Sequence, residues 1–296
     1  MSDRWALPAL LVITGTLNGL LAPFAKVAVE AGVPLTAFLF WPALGAGLLL
    51  TVLATLRGTP PKLTLRYCRY GLITGGISFA FPNFVVAWVV PYLGSGLTSL
   101  MFVLSPPITY ALAVGIRLDS IRLIRVLGIL LGGVGALMIL LPRSGLPSVD
   151  QFNWMLIAFL IPASVALGNI YRTVDWPPGA QILPLAAVMM WGAAIWLGAG
   201  MIAADHFYWP FGLTHAGDWA VLAQIAATTL AYIAFFELQR RGGPVYLSQI
   251  GYLITLTGMV AGIAFLGERM TWWIWAALPV MFAGLAMVNA QQSSRK

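Results

Sequence analysis

Ten long apolar stretches, separated by short polar or charged gaps, make up almost the whole sequence. A helix needs ~20 residues to cross the hydrocarbon core of a bilayer, and a helix satisfies its own backbone hydrogen bonds there without water. The pattern therefore predicts an all-α membrane protein with ten transmembrane helices. The predicted spans are 6–28, 35–56, 69–90, 94–116, 124–141, 152–171, 180–203, 217–238, 245–266 and 272–290.

The composition excludes a soluble domain. Hydrophobic residues are 60% of the 296 residues and charged residues only 8%, whereas soluble domains carry roughly 25% charge. The net charge of +7 does not indicate a nucleic-acid partner, because the basic residues lie in the short gaps between spans. That distribution is typical of membrane topology, so the lipid bilayer is the expected partner.

The distribution of Lys and Arg predicts the orientation. With the N-terminus in the cytoplasm, only Lys26, Arg143 and Arg269 of the 16 Lys and Arg residues fall on the outer side. Arg172 is counted among the cytoplasmic loop residues. Because cytoplasmic loops are enriched in Lys and Arg, we expect a multi-pass protein of the bacterial inner membrane with both termini inside.

The two halves of the chain resemble each other at an offset of 149 residues. Leu93-Gly94-Ser95-Gly96 aligns with Gly242-Gly243-Pro244-Val245, Asp119 with Glu268, and Gly135 with Gly284. The halves are predicted as residues 1–147 and 148–296, with five spans each. Since five is odd, the second half enters the membrane from the opposite side. Inverted repeats place a substrate site between the halves and support alternating access.

The arrangement resembles the EamA-type transporters of the drug/metabolite transporter superfamily. Lys26 ends the first span, Leu266-Gly267-Glu268-Arg269 closes the ninth, and the fifth is rich in glycine from Gly128 to Gly135. The resemblance implies a basket of helices around a central cavity, with spans two and seven as gates. Within the family it most resembles the YddG-type branch, and this resemblance implies export of aromatic and other neutral amino acids. Where many relatives carry an Arg, this chain has Trp41-Pro42.

Polar and aromatic residues inside the predicted spans are the candidates for substrate binding, because polar groups at this depth are costly unless they face a cavity or the bundle interior. Ser and Thr have the alternative of bonding to their own helix, and Trp that of lying at the membrane interface. The candidate set is Asn18, Trp41, Ser78, Phe79, Asn83, Thr98, Trp191, Gln224, Thr228, Tyr232, Gln249 and Tyr252.

Carboxylates are expected only in loops or at span ends, with Glu237 as the deepest. A proton-driven antiporter needs a buried acid to carry the proton, so the sequence favours facilitated diffusion. Gating is assigned to kinks at prolines within spans, for which static packing kinks are the alternative. These residues are Pro42, Pro82, Pro106, Pro107, Pro162 and Pro184. Gly128, Gly132 and Ala136 predict close helix packing.

The predicted function is a secondary transporter that exports small metabolites, with amino acids as the leading substrates. The alternatives are a multidrug exporter of lipophilic cations, a passive channel and a membrane-embedded enzyme. An enzyme is not expected, because no catalytic constellation lies within the spans. We expect no cofactor and no metal, since Cys68 is the one cysteine and both histidines fall in a loop. The protein is expected to be a monomer or a homodimer.

Overall fold

The computed structural model describes residues 3–144, 149–266 and 272–290, and every regular element within them is helical. The first half contains α1 (Asp3–Gly19), α2 (Leu21–Glu30), α3 (Leu35–Leu56), α4 (Leu65–Gly75), α5 (Phe81–Met101), α6 (Ser105–Gly115) and α7 (Leu123–Ser144). The second half contains α8 (Val149–Ala158), α9 (Leu160–Val174), α10 (Ile182–Ala203), α11 (Ala216–Ser248), α12 (Ile250–Leu266) and α13 (Trp272–Ala290). Six of the described helical stretches are long and apolar enough to cross a membrane.

Three short non-α segments interrupt the described helices or loops. A π-helix, Gly76–Ala80, joins α4 to α5, and a 3-10 turn, Phe102–Leu104, joins α5 to α6. Another 3-10 turn, Pro210–Gly212, lies in the loop before α11. At α1 and α2 the backbone bonds continue through Leu20, so these two helices form one apolar stretch.

The helix order follows the predicted spans, but two predicted connections are wrong. Helix α5 continues across residues 91–93, where a loop was expected. Helix α11 runs to Ser248 through the expected loop at 239–244, and only Gly243 departs from helical geometry, with φ 74° and ψ 178°. Backbone groups that pair within a helix need no water, which favours these compact connections over open loops.

Helices of the first half pack against helices of the second half. Helix α3 packs along α10, and α7 packs along α13. Helix α1 contacts α11 and α12, and α9 contacts α5 and α6.

Glycines allow the closest of these contacts. A Cβ atom at Gly284 of α13 would lie 2.4 Å from the backbone nitrogen of Gly132 in α7. Gly128 also faces α13, with its Cβ position 2.8 Å from the Gly284 oxygen. The predicted close packing at Gly128 and Gly132 is thus confirmed, while the side chain of Ala136 lies outside the described set. On the other face of α7, Leu130 and Val134 are exposed, as expected for a surface that faces lipid.

Two ends of the bundle are defined by contacts between the halves. At one end, Arg66 and Arg69 at the start of α4 pair with Asp175 after α9. At the other end, Thr36 of α3 lies 3.2 Å from His206 in the loop that precedes α11. We refer to these as the Asp175 end and the Asp218 end, since Asp218 lies in the first turn of α11.

Candidate functional site

The side chain of Arg172 is buried inside the helix bundle, with 1% of the residue exposed. The prediction that Arg172 lies in a cytoplasmic loop is wrong, because α9 extends through Val174. Nε of Arg172 donates to Oε1 of Gln239 at 2.7 Å. Nη1 donates to the Ser78 hydroxyl and Nη2 donates to Oδ1 of Asn169. One guanidinium therefore connects the π-helix of the first half to α9 and α11 of the second.

Ser78 reaches Arg172 because Gly168 leaves room for it. A Cβ atom at Gly168 would lie 1.9 Å from the Ser78 hydroxyl oxygen. Ser78 lies in the middle of the π-helix Gly76–Ala80, and single-turn π segments within α-helices are frequent at functional sites.

Gln239 is held in place by two further bonds. Its Nε2 donates to the Asn169 carbonyl at 2.7 Å and to the Thr173 hydroxyl at 2.9 Å. These bonds fix the amide so that its oxygen faces Arg172. Gln239 is 3% exposed, and its fully paired amide is typical of a polar network that defines one geometry.

Aromatic rings lie beside the guanidinium. The Arg172 Cζ atom is 4.7 Å from the centroid of the Phe235 ring. Phe235 stacks on Tyr232 at 5.1 Å, and Tyr232 contacts Phe79 edge to face at 5.8 Å. A guanidinium over an aromatic face is stabilised by the ring quadrupole. The structure thus brings Ser78, Phe79 and Tyr232 of the candidate set to Arg172.

The buried positive charge has no carboxylate partner among the described residues. None of the ion pairs within the described ranges involves Arg172. The nearest acid in sequence, Asp175, accepts from the Tyr171 hydroxyl at 2.5 Å and from Arg69 at 3.1 Å. These bonds hold the pKa of Asp175 below its ordinary value. Three of the five guanidinium N–H groups bond to neutral oxygens, and the other two make no bond to the described residues.

Two of the predicted amides bond to their own helices. Nδ2 of Asn18 donates to the Thr14 carbonyl at 2.8 Å, and Nδ2 of Asn83 donates to the Phe79 carbonyl at 2.6 Å. Both are half-buried. Bonding to the own helix, the alternative expected for Ser and Thr, thus also occurs at these two amides.

The two buried glutamines of the candidate set have unpaired oxygens. Gln224 donates to the Thr228 hydroxyl at 3.1 Å, and Gln249 donates weakly to the Val245 carbonyl at 3.4 Å. Oε1 of each is buried and has no partner among the described residues. A buried unpaired acceptor costs free energy, so these oxygens are available to a donor from a ligand or water.

The remaining aromatic candidates lie away from Arg172. Trp41 donates to the Tyr208 carbonyl at 2.7 Å, at the Asp218 end. Trp191 donates to the Thr51 hydroxyl at 3.0 Å, between α10 and α3. The Tyr252 hydroxyl donates to the Ile129 carbonyl at 3.0 Å and ties α12 to α7. Thr98 is buried in α5.

Four of the six prolines lie just after breaks in the helices, at three places. Pro82 follows the π-helix, Pro106 and Pro107 follow the 3-10 turn, and Pro162 follows the boundary between α8 and α9. A proline lacks the N–H group and clashes with the carbonyl four residues earlier, which accounts for these interruptions. Pro42 lies inside the continuous α3, and Pro184 lies in the first turn of α10.

The sequence reading missed Asn169, Arg172, Phe235 and Gln239. The predicted sixth span ends at residue 171, because the next residue, Arg172, is charged and indicates a loop. One signal was available, since Asn169 and Arg172 are three residues apart and share a helix face. Within the described ranges, no group of three His, Cys, Asp or Glu side chains is placed to hold a metal ion.

Comparison with known proteins gives a family and a fold. The sequence model of the EamA-like transporter family matches residues 6–141. A solved structure, titled "Crystal structure of protein", has a TM-score of 0.76 and covers 98% of this chain and 99% of its own. At 14% sequence identity, this likeness shows the fold alone. No curated protein sequence gives a significant match. The likeness to the EamA-like transporter family thus covers residues 6–141, somewhat less than half of the chain.

Proposed function

We propose that the protein is a secondary transporter that exports small metabolites carrying a carboxylate, with aromatic and other neutral amino acids as the leading class. The observation that carries the proposal is Arg172, whose buried guanidinium is held by neutral oxygens alone among the described residues. A buried charge is costly without a partner of opposite sign. A substrate carboxylate would supply that partner.

The surroundings of Arg172 suit the rest of an amino acid. Arg binds carboxylates through parallel N–H groups, and two such groups remain on this guanidinium. Phe79, Tyr232 and Phe235 offer ring faces and edges on which an aromatic side chain stacks. The unpaired oxygens of Gln224 and Gln249 are acceptors that an ammonium group meets on its path. This chemistry supports the specificity of the YddG-type branch.

The same charge argues against an exporter of lipophilic cations. A cation at this site would meet a positive charge in a medium of low dielectric constant, where like charges repel strongly. A cation exporter is expected to hold an acid facing its cavity. Each of the more buried acids in the described chain is already engaged: Asp119 with Arg125, Asp175 with Arg69, Asp218 with Tyr208, and Glu237 with Arg240.

Facilitated diffusion is the mode that we propose. Glu237, the deepest acid by sequence, pairs with Arg240 at 2.9 Å and with Arg241. Its carboxylate is thus engaged by two arginines of its own helix, which argues against a role as the carrier of a coupling proton. Movement by alternating access between inverted halves is supported by the contacts of α1 with α11 and α12 and of α9 with α5 and α6.

The proposal is tested by counterflow in proteoliposomes loaded with unlabelled phenylalanine. We expect saturable uptake of labelled phenylalanine that does not depend on a pH gradient. Phenethylamine, which lacks the carboxylate, should not compete. Arg172→Gln should raise KM by about tenfold or more, the worth of a charged hydrogen bond. Arg57→Gln, at an exposed position, is the matched control and should leave uptake unchanged.

Three results would overturn parts of this proposal. Equal competition by phenethylamine would remove the role of the carboxylate. Saturable uptake of tetraphenylphosphonium without uptake of amino acids would favour the cation exporter. Uptake that requires a pH gradient and disappears in Glu237→Gln would replace facilitated diffusion by proton coupling.

A further inference from the structure

A polar cavity apart from Arg172 lies at the kink that Gly243 makes within α11, referred to below as the hinge. Its volume is about 80 Å³, large enough for a small ion or several waters. The first half contributes the end of α6, the turn after it and the start of α7, and the second half contributes the hinge and α13. The lining residues are Ala113, Leu118, Asp119, Arg125, Gly242, Gly243, Pro244, Val245, Tyr246 and Val288.

Two buried side chains of this cavity carry polar atoms without partners. Arg125 is 4% exposed and Tyr246 is 2% exposed. Nε of Arg125 and the hydroxyl of Tyr246 have no hydrogen-bond partner among the described residues. Most buried polar groups are paired in folded proteins. Because both residues line the same cavity, a ligand there that accepts hydrogen bonds would give these donors partners.

The charge around the cavity favours an anion. Both oxygens of Asp119 are occupied, one by Arg125 and the other by the Ser120 nitrogen at 2.8 Å. Arg117 precedes this turn, and Arg240 and Arg241 precede the hinge. Those last two share the one acid Glu237. The positive charges of these segments thus outnumber the negative ones.

The backbone at the hinge allows close approach. Gly243 adopts φ 74°, a conformation that disfavours any side chain, and no atom lies within 4 Å of its Cβ position. Gly243 is itself one of the lining residues, so its side of the cavity carries no side chain. Arginine clusters with adjacent backbone N–H groups are typical of phosphate recognition.

We propose that the hinge cavity binds an anionic phosphate group through Arg125 and Tyr246. The group belongs to an acidic phospholipid or to free phosphate, since both present the same oxygens. The site joins the Asp119 turn of the first half to the Gly243 hinge of the second. It is independent of the substrate proposed for Arg172.

The test is thermal unfolding of the purified full chain in detergent at constant ionic strength. One arm adds inorganic phosphate in exchange for chloride. The other adds dioctanoyl phosphatidylglycerol, with dioctanoyl phosphatidylcholine as the neutral comparison. We expect a saturable rise in the unfolding midpoint. In Tyr246→Phe, which loses one hydrogen bond to a charged group, the concentration that gives half of this rise should be about tenfold higher. Arg125→Gln should respond more weakly still, and Arg57→Gln should respond as the wild type does.

The outcomes separate the sources and the alternatives. A response to phosphate assigns free phosphate, and a response to phosphatidylglycerol alone assigns the lipid. No saturable response in either arm would overturn the proposal, as would equal responses in the wild type and Tyr246→Phe. Tyr246→Phe keeps the ring and removes only the hydroxyl, so it tests the site even where Arg125→Gln fails to fold.

Discussion

The position of the Arg172 guanidinium depends on both Gly168 and Ser78. Gly168→Ala would put a methyl group 1.9 Å from the Ser78 hydroxyl, so the hydroxyl must leave Arg172. Losing a partner of a buried charged group costs about 1–3 kcal/mol, and overpacking adds ~1–3 kcal/mol. We expect Gly168→Ala to lower the unfolding temperature more than Ser78→Ala does, as measured in detergent.

The double variant is the control for this contact. In Ser78→Ala with Gly168→Ala, the oxygen is gone but the Ser78 Cβ position still lies 2.9 Å from the added methyl group. The double variant should therefore recover part of the loss of Gly168→Ala. A Gly168→Ala protein as stable as the wild type would show that Ser78 does not hold Arg172.

Asp175 makes the stability of the Asp175 end depend on pH. Hydrogen bonds from Tyr171 and Arg69 hold its pKa below the ordinary value of 3.8. The ionised form of Asp175 is therefore favoured in the folded state. Its contribution to stability is fully present above the pKa of Asp175 in the unfolded chain, and it is lost as the pH falls through the pKa in the folded chain. Because Arg69 is about half exposed, we expect its ion pair with Asp175 to add no more than ~1 kcal/mol to the free energy of unfolding.

The measurement is thermal unfolding of the wild type and Asp175→Asn between pH 3 and pH 7. At pH 5–7 the unfolding temperature of the wild type should exceed that of Asp175→Asn by a constant difference. This difference should disappear as the pH falls below about 4. Asp205→Asn, in an exposed loop, should show no such difference. A difference that grows on acidification would contradict the assignment.

At the residue scale, the sequence predicted polar positions but not their partners. Ser78, Phe79 and Tyr232 were found because polar and aromatic residues inside apolar spans are conspicuous. Arg172 was missed because hydropathy ends a span at its first charge. Its bonds join residues 94 and 67 positions apart, and such pairings depend on tertiary packing, which helical period alone does not give.

Among the helices, α7 and α13 depend on backbone contact through glycine. A Cβ atom at Gly284 would meet backbone atoms of Gly128 and Gly132, which cannot move aside as a side chain can. We expect Gly284→Ala to cost about 1–3 kcal/mol through overpacking. Gly115→Ala is the control, because nothing lies within 4 Å of its Cβ position. It should be neutral or slightly stabilising in the same unfolding assay. Equal effects of the two substitutions would argue against the close contact.

Helix bounds were predictable where apolar stretches end in loops, as at α3, whose bounds Leu35–Leu56 match the expected span. They were less predictable at the connections within 91–93 and 239–244, where helix continues. Gly-Gly-Pro was read as a loop signal, yet only Gly243 leaves helical geometry. The segment 267–271, which contains Glu268 of the repeat, lies outside the described residues.

For the whole molecule, a contact between the halves lies at each end of the bundle. Thr36 meets His206 at the Asp218 end, and Arg69 meets Asp175 at the Asp175 end. Each pair joins the first half to the second. If the halves rock against each other as proposed, each pair must separate once in every cycle, while the opposite pair stays closed.

Crosslinking tests this requirement in a Cys68→Ser background. Thr36→Cys with His206→Cys, and separately Arg69→Cys with Asp175→Cys, would be joined by a short bis-maleimide. We expect either crosslink to stop counterflow, whereas each single-cysteine variant treated in the same way should retain it. A crosslink at the Asp218 end should also speed labelling of Arg69→Cys by a membrane-impermeant maleimide, because closing one end favours opening the other. Transport that continues with either end crosslinked would exclude alternating access. Loss of transport without any change in labelling at the opposite end would instead indicate two independent gates, as in a channel.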